Sequence, residues 1–178
     1  IRNTILFGKY RLLHKLGTGR AGTVWLAVHI GLEEYRAIKR ISKRDADYDT
    51  FRREALVLKE LRHPGIPMIY DLEEDSEFFY LIEEYLEGYS LYALIANQGP
   101  IQEAEAVRYG MQVCGLVAYM HSACELPILH LDLQPNNLII CNGTVKLIDF
   151  DHAAGCRWAN IAPKRFGTVG CAAPEQYA

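Results

Sequence analysis

The sequence lacks the features that mark several large classes of protein. No hydrophobic run approaches the length of a membrane span, and no signal peptide opens the chain. Basic residues form no continuous block and the formal net charge is -3, so we expect no nucleic-acid partner. We therefore expect a cytoplasmic domain with no membrane segment of its own, and an anchor elsewhere in a parent protein stays open.

The cysteines and histidines also lack the spacing of a metal site. None of the cysteines forms a C-x-x-C pair, and the six histidines show no ligand spacing. We therefore expect structural histidines and free thiols in a reducing compartment. The scattered thiols are Cys114, Cys124, Cys141, Cys156 and Cys171.

The chain is nevertheless large enough to bury a core. It has 178 residues, of which 50% are hydrophobic, and this suits one domain or two small lobes. It begins at Ile1 rather than at a methionine, from which we expect a fragment of a longer protein.

The most informative stretch runs from residue 130 to residue 151. Asp132 precedes Asn137 by five residues, and two short apolar runs separated by a turn at Gly143 lead to Asp149. This pattern predicts a loop followed by a β-hairpin, with three oxygen-bearing side chains at one end. Such ligands suit Mg²⁺, which takes one or two carboxylates and leaves room for phosphate oxygens and water.

A glycine-rich stretch lies nearer the N-terminus. Gly17, Gly19 and Gly22 separate two β-rich runs, and Val24 continues as strand instead of starting a helix. Glycines let the backbone approach a phosphate and point N–H groups at it. The stretch predicts a β-hairpin lid over phosphates, with an ordinary hairpin turn as the alternative.

A lysine and a glutamate further along the chain are predicted to face inward. Residues 35–41 alternate as a strand, which places Lys39 on a face with apolar neighbours. A helix predicted over 49–61 carries Glu54 on its apolar stripe. Either charge would be costly if buried alone, so we predict a Lys39–Glu54 ion pair. An edge-strand lysine facing water is the alternative.

Strand patterns give way to helical patterns near Gly88. Two β runs over 66–72 and 78–85 precede it, and helices are predicted from Ser90 and over 102–122. We place a hinge at 84–88. The longer helix is expected to pack through a broad apolar side made of Ala106, Val107, Val113, Cys114, Val117, Ala118 and His121.

Taken in order, these motifs resemble those of the protein kinase superfamily, and most closely its bacterial Ser/Thr branch. The matching elements are the glycine-rich loop, Ala37-Ile38-Lys39, the helical Glu54, the catalytic loop 132–137, Asp149-Phe150 and Ala173-Pro174-Glu175. The match runs from Tyr10 to the end of the chain.

The resemblance implies a two-lobed, protein-kinase-like α+β fold. Residues 1–86 would form the antiparallel β N-lobe, and 87–178 a partial, mostly helical C-lobe. A kinase C-lobe continues after Ala-Pro-Glu with further helices, so we expect these to be missing. The fragment by itself is therefore expected to have weak activity or none.

The resemblance also implies roles for individual residues. Asp132 would accept or orient the proton of a Ser/Thr hydroxyl on a protein substrate, while Asn137 and Asp149 would hold Mg²⁺. Lys39, held by Glu54, would bind the α- and β-phosphates of ATP. The implied ATP-binding set comprises Leu16, Gly17, Gly19, Gly22, Val24, Ala37, Lys39, Glu84, Leu86 and Ile139.

Four positions depart from the common kinase pattern. Leu131 replaces the arginine that anchors a phosphorylated activation loop, and Gln134 replaces a lysine near the γ-phosphate. The Gln134 amide can still donate a hydrogen bond but brings no charge. Asp151 replaces the glycine of Asp-Phe-Gly, and Glu83 lies at the usually apolar gatekeeper position.

The activation segment supports one further expectation. No Ser, Thr or Tyr lies between Asp149 and Thr168, so a switch by phosphorylation of this segment is not expected. Thr168 matches the threonine that hydrogen-bonds the catalytic aspartate in Ser/Thr kinases. An ATP-binding pseudokinase or signalling scaffold is the alternative function, and a small-molecule phosphotransferase is a third. A dimer stays open.

Overall fold

The computed structural model describes residues 4–19, 22–155 and 167–177. The chain forms two compact units, Ile1–Lys59 with Pro67–Leu86, and Glu60–Ile66 with Glu87–Ala178. Residues 60–66, which the sequence-based boundary included in the first unit, therefore belong to the second. Within the described ranges, no helix has both the length and the apolarity needed to cross a membrane.

The first unit is an antiparallel sheet with one helix. Its strands are β1 (Ile5–Leu6), β2 (Tyr10–Gly19), β3 (Gly22–His29), β4 (Glu34–Ser42), β5 (Ile69–Glu74) and β6 (Phe78–Glu84), and its helix is α1 (Tyr48–Leu58). The sheet order is β1-β2-β3-β4-β6-β5.

Both faces of this sheet carry a core, because the alternation of strand side chains supplies apolar groups to each side. On one face α1 packs through Phe51 and Ala55 against Ile41, Phe79 and Leu81. The other face carries a second cluster, formed by Tyr10, Leu12, Trp25, Ala27, Ile38, Tyr80 and Ile82.

Helix α1 begins and ends for local reasons. Asp47 caps it by accepting the Thr50 N–H at 2.7 Å. It ends at Leu58, so the predicted extension to 61 is wrong. The residues that follow find partners within the second unit instead, where the Arg62 N–H donates to the Tyr119 hydroxyl at 2.6 Å and the Gly65 carbonyl accepts the Leu147 N–H at 2.7 Å.

The second unit combines helices with short strands. Its elements are β7 (Tyr89–Ser90), α2 (Leu91–Gln98), α3 (Glu103–Ser122), β8 (Ile128–Leu129), β9 (Leu138–Cys141), β10 (Thr144–Leu147), β11 (Ala154–Gly155) and 3₁₀ turns at Pro135–Asn137 and Pro174–Gln176. The strands form two antiparallel sheets, with orders β10-β9-β7 and β11-β8. The predicted α+β class and the predicted hairpin after Asn137 are confirmed.

The predicted packing face of α3 is wrong. Its buried residues are Tyr109, Leu116 and Met120, whereas the predicted Val107 and Cys114 are exposed. The helix carries apolar residues on both sides, so periodicity alone could not choose between them. Gln112 marks the buried side, because its amide donates to the Gly143 carbonyl and accepts the Val145 N–H, both at 2.9 Å.

Candidate active site

In the first unit the predicted ion pair is present. Lys39 Nζ lies 3.0 Å from Glu54 Oε2, and the two side chains are only 6% and 5% exposed. Strand β4 supplies the lysine and the buried stripe of α1 supplies the glutamate. Because each charge compensates the other, both groups can remain buried.

The glycine-rich stretch forms the tip of the β2–β3 hairpin. Gly17 pairs with Val24, and Gly19 with Gly22. Gly22 has a φ of +139°, and a Cβ there would collide with the carbonyl oxygen of Arg40. A Cβ on Gly17 or Gly19 would meet nothing within 4 Å, so packing does not require glycine there. Arg20 and Ala21, at the turn itself, lie outside the described residues.

The other predicted ATP-binding residues of the first unit lie on four strands and on the segment that follows β6. Ala37 and Leu86 are buried, Val24 is half-buried and Leu16 is exposed. The Glu84 N–H donates to the Met68 carbonyl at 2.8 Å, so that backbone donor is already used. Ile139, the last of this set, lies half-buried on β9 of the second unit.

In the second unit, Asp132 is the centre of a hydrogen-bond network. Its Oδ1 accepts the Thr168 hydroxyl at 2.6 Å. Its Oδ2 accepts Gln134 Nε2 at 2.8 Å and Asn137 Nδ2 at 3.0 Å. Asp132 is 6% exposed, and three donors on a buried carboxylate hold it in one orientation.

Asn137 and Asp149 are brought together by the hairpin. The Asn137 amide nitrogen donates to both the carbonyl and Oδ2 of Asp132, which leaves its side-chain oxygen as the atom suited to a cation. The Asn137 carbonyl accepts the Ile148 N–H at 3.0 Å. Asp149 is the next residue along the chain, two positions after β10 ends. Asp149 adopts a φ of +64°, an uncommon backbone region for a residue other than glycine.

His130 stabilises this loop through two hydrogen bonds. From the sequence it was predicted only to have a structural role. Its Nδ1 accepts the Asp132 N–H at 3.3 Å and its Nε2 donates to the Ile148 carbonyl at 3.1 Å. Its ring meets Phe150 edge-on, with centroids 4.8 Å apart. Burial lowers the pKa of His130, which favours the neutral ring that this pair of hydrogen bonds requires.

Gln176 is a supporting residue that the sequence did not indicate. Its Nε2 donates to the Leu131 carbonyl at 2.8 Å, and its Oε1 accepts the Ala173 N–H at 3.2 Å. Leu131 has a φ of +64°, so this contact fixes a strained residue directly before Asp132. Only the contact geometry reveals the link, because glutamine at this position has no sequence pattern of its own.

The sites predicted from sequence thus fall into two groups. The first unit holds the Lys39–Glu54 pair, the glycine-rich hairpin and Glu84, while the second holds Asp132, Gln134, Asn137, Asp149 and Thr168. Residues 156–166, which include most of the segment predicted to lack a phosphorylation switch, lie outside the described residues.

Comparison with known proteins agrees with this arrangement. The family model for the protein kinase domain matches residues 10–177. The serine/threonine-protein kinase PrkC of Bacillus subtilis is 34% identical over 177 residues, covering 95% of this chain and 27% of its own length. Calcium-dependent protein kinase 5 of Plasmodium falciparum is 33% identical over 167 residues, covering 91% of this chain and 29% of its own length.

The chain spans a third or less of the length of the first curated relatives it matches. Two of the matched relatives are named as serine/threonine-protein kinases, one from Bacillus subtilis and one from Saccharomyces cerevisiae. Since the kinase model covers nearly the whole chain and the motifs follow the kinase order, the chain belongs to the protein kinase domain family.

Proposed function

We propose that this chain carries the phosphoryl-transfer machinery of a Ser/Thr protein kinase. The observation that carries the proposal is the Asp132 carboxylate, held by Thr168, Gln134 and Asn137. A carboxylate fixed in this way can orient a substrate hydroxyl and accept its proton. Phosphoryl transfer asks the protein mainly for positioning and charge neutralisation, and both are functions of fixed side chains.

The residues present fit ATP and Mg²⁺. Asn137 offers a side-chain oxygen and Asp149 a carboxylate, which together are a hard-cation donor set. Lys39 is a buried cation held by Glu54, suited to the α- and β-phosphates. When bound, Mg²⁺ would neutralise phosphate charge, and the backbone of Gly17, Gly19 and Gly22 would cover the phosphates. Glu84 and Leu86 are proposed to meet the adenine through their main chain.

Gln134 makes the proposed chemistry atypical. Its amide nitrogen, which the sequence suggested for the γ-phosphate, donates to Asp132. It therefore positions the carboxylate without adding the positive charge of a lysine, and we expect a lower rate of transfer than in kinases with lysine there. We also propose that the kinase activity does not depend on phosphorylation of residues 150–167.

The Asp132→Asn variant tests the role of Asp132. An amide keeps the shape of the side chain but cannot accept the proton, so transfer of labelled phosphate from ATP to a generic protein substrate by the full-length parent protein should be lost. ATP binding, measured by calorimetry, should stay close to that of the unchanged chain. Asp45→Asn, at an exposed position on a turn, is the matched control. Equal turnover in Asp132→Asn and Asp45→Asn would remove Asp132 from the mechanism.

An ATP-binding pseudokinase or scaffold is the second candidate function. Its supporting observation is Gln134, which leaves the loop without a cation beside Asp132. Mg²⁺-dependent thermal stabilisation by ATP, with no phosphate transfer by the full-length parent protein in a single-turnover assay, would favour this second candidate.

A further inference from the structure

We propose that Gln176 is a positioning residue for Asp132, because its side chain holds the peptide unit between Leu131 and Asp132 in one orientation. This role rests on the proposed kinase function, in which Asp132 orients the substrate hydroxyl. Gln176 lies outside the kinase motifs found in the sequence, since it follows directly after Ala173-Pro174-Glu175. Its effect on the reaction is transmitted through the backbone of the loop.

The orientation of the Gln176 amide follows from the chemistry of its two partners. Gln176 ends the 3₁₀ turn Pro174–Gln176, and its Oε1 accepts the Ala173 N–H at 3.2 Å. A backbone N–H can only donate and a backbone carbonyl can only accept, so Nε2 is the atom that lies 2.8 Å from the Leu131 carbonyl oxygen. One end of the amide is therefore fixed to its own turn, and the other reaches the loop.

The peptide unit that receives this contact is held at both of its polar groups. Its carbonyl, from Leu131, accepts from Gln176, and its N–H, from Asp132, donates to Nδ1 of His130 at 3.3 Å. The atoms of a peptide unit lie in one rigid plane, so two bonds to its opposite edges fix the rotation of that plane. Loss of either bond leaves the plane held at one edge only.

Leu131 makes this peptide unit prone to rotate once a bond is lost. Its φ of +64° lies in the left-handed region, which leucine adopts at a cost in free energy. Such a conformation persists only where the surrounding contacts over-determine it. Rotation of the plane would relieve the strain on Leu131 and would turn the Asp132 N–H away from His130.

The Asp132 carboxylate depends on the same backbone. Its three donors, Thr168, Gln134 and Asn137, lie 2.6, 2.8 and 3.0 Å from its oxygens, and these contacts weaken if its Cα moves. Misplacement of a reacting group by about 1 Å can lower a rate about a hundredfold. Rotation of the preceding peptide unit should therefore reduce phosphate transfer.

Thr168 and Gln176 dock the same segment of chain at two points. The Thr168 hydroxyl contacts the Asp132 carboxylate, and Gln176 contacts the carbonyl of the residue before it. Between the two points the segment turns back on itself, where the Thr168 carbonyl accepts the N–H groups of Cys171 and Ala172, both at 2.9 Å. Both docking groups are uncharged, so this docking requires no phosphate group on the segment.

Two substitutions of Gln176 in the full-length parent protein test the role. Gln176→Glu keeps an acceptor for the Ala173 N–H, but its ionised carboxylate cannot donate to Leu131. Gln176→Met removes both bonds without adding charge, and it supplies the comparison should Gln176→Glu fail to fold. Each should lower kcat about tenfold, the effect of losing one hydrogen bond in a fixed network, with the Kd for ATP unchanged.

The matched control is Gln98→Glu, the same substitution at an exposed position at the end of α2. It should leave kcat unchanged. A fall in kcat equal to that of Gln176→Glu would mean that added negative charge explains the effect, and the role of Gln176 would be overturned.

A second substitution separates positioning from a contact that only stabilises the segment. Asparagine tolerates the left-handed region far better than leucine does, so Leu131→Asn removes the strain that Gln176 opposes. Added to Gln176→Met, it should restore most of the lost kcat. Leu133→Asn makes the same change at a nearby position without a positive φ, and it should restore nothing.

Three results would overturn the proposal. The first is a kcat in Gln176→Met equal to that of the unaltered parent protein. The second is no recovery by Leu131→Asn, or equal recovery by Leu131→Asn and Leu133→Asn. The third is a loss of ATP binding in step with kcat, which would indicate general disruption of the fold.

Asp132→Asn, measured in the same assay, distinguishes these failures from failure of the proposed kinase function. If Asp132→Asn is inactive while both Gln176 variants transfer phosphate normally, only the role of Gln176 is overturned. If Asp132→Asn retains full turnover, the proposed mechanism and the role of Gln176 are overturned together.

Discussion

The Thr168 hydroxyl lies 2.6 Å from Oδ1 of Asp132, although the two residues are 36 positions apart in the chain. The contact ties the segment before Ala-Pro-Glu to the proposed catalytic loop. Thr168→Ala should lower the rate of phosphate transfer about tenfold to a hundredfold, the effect of losing one hydrogen bond to a charged group. ATP binding should stay unchanged.

The control for this prediction is Thr168→Ser, which keeps the hydroxyl and should retain most of the rate. Single-turnover transfer of labelled phosphate by the full-length parent protein measures both variants under identical conditions. If Ser and Ala reduce the rate equally, the hydroxyl has no role and only the threonine methyl group matters.

The buried Lys39–Glu54 pair makes a prediction about stability. Lys39→Met leaves the Glu54 carboxylate buried without its cation, and loss of one partner of such a pair costs about 3–5 kcal/mol in the free energy of unfolding. Adding Glu54→Leu removes the other charge of the pair, so the double variant should regain part of the loss. Neither variant should bind ATP with the affinity of the unchanged chain.

Urea unfolding of the two single variants and the double variant measures this coupling. Strictly additive losses would contradict a direct interaction between the two side chains. If Lys39→Met still binds ATP strongly, Lys39 has no role in the proposed phosphate site, and the ion pair of the unaltered chain is a structural feature only.

The inward direction of Glu54 and the hairpin after Asn137 could be predicted from sequence, because both follow from local periodicity. The buried side of α3 could not, since its apolar residues lie on two sides and the choice depends on where Gln112 finds backbone partners. The contact of Gln134 with Asp132 could not be predicted from the sequence either. It depends on a rotamer that only the folded loop selects.

Gly19 and Gly22, which flank the turn of the glycine-rich stretch, should respond differently to substitution by alanine. Gly22→Ala places a Cβ against the Arg40 carbonyl at a φ of +139°, so it should lower the free energy of unfolding by more than about 1 kcal/mol. Gly19→Ala has open space around its Cβ and should be nearly neutral for stability. If this backbone covers phosphates, Gly19→Ala should still weaken ATP binding.

Thermal unfolding with and without Mg²⁺-ATP separates the two effects. A Gly19→Ala chain that binds ATP as tightly as the unaltered chain would favour the ordinary hairpin turn. Equal destabilisation by both substitutions would contradict the close approach seen at Gly22.

The buried His130 should make stability depend on pH in a defined window. Burial lowers its pKa below the ordinary 6.5, while the Ile148 carbonyl and the nearby Asp149 and Asp132 oppose that shift. Above pH 6.5 neither the folded nor the unfolded chain protonates this ring, so its contribution to stability is fully present. As the pH falls from 6.5 through the lower folded pKa, the unfolded chain binds a proton that the folded chain refuses, and stability is lost.

Substitution of His130 isolates this contribution from those of the other histidines. His130→Gln keeps a donor for the Ile148 carbonyl but does not titrate, so the variant should lose less stability than the unaltered chain between about pH 7.5 and pH 5.5. Urea unfolding at both pH values gives the four free energies needed. Because the remaining histidines are common to both chains, their titration cancels in the comparison, and an equal loss in the two chains would mean that the buried ring is protonated as readily as a free one.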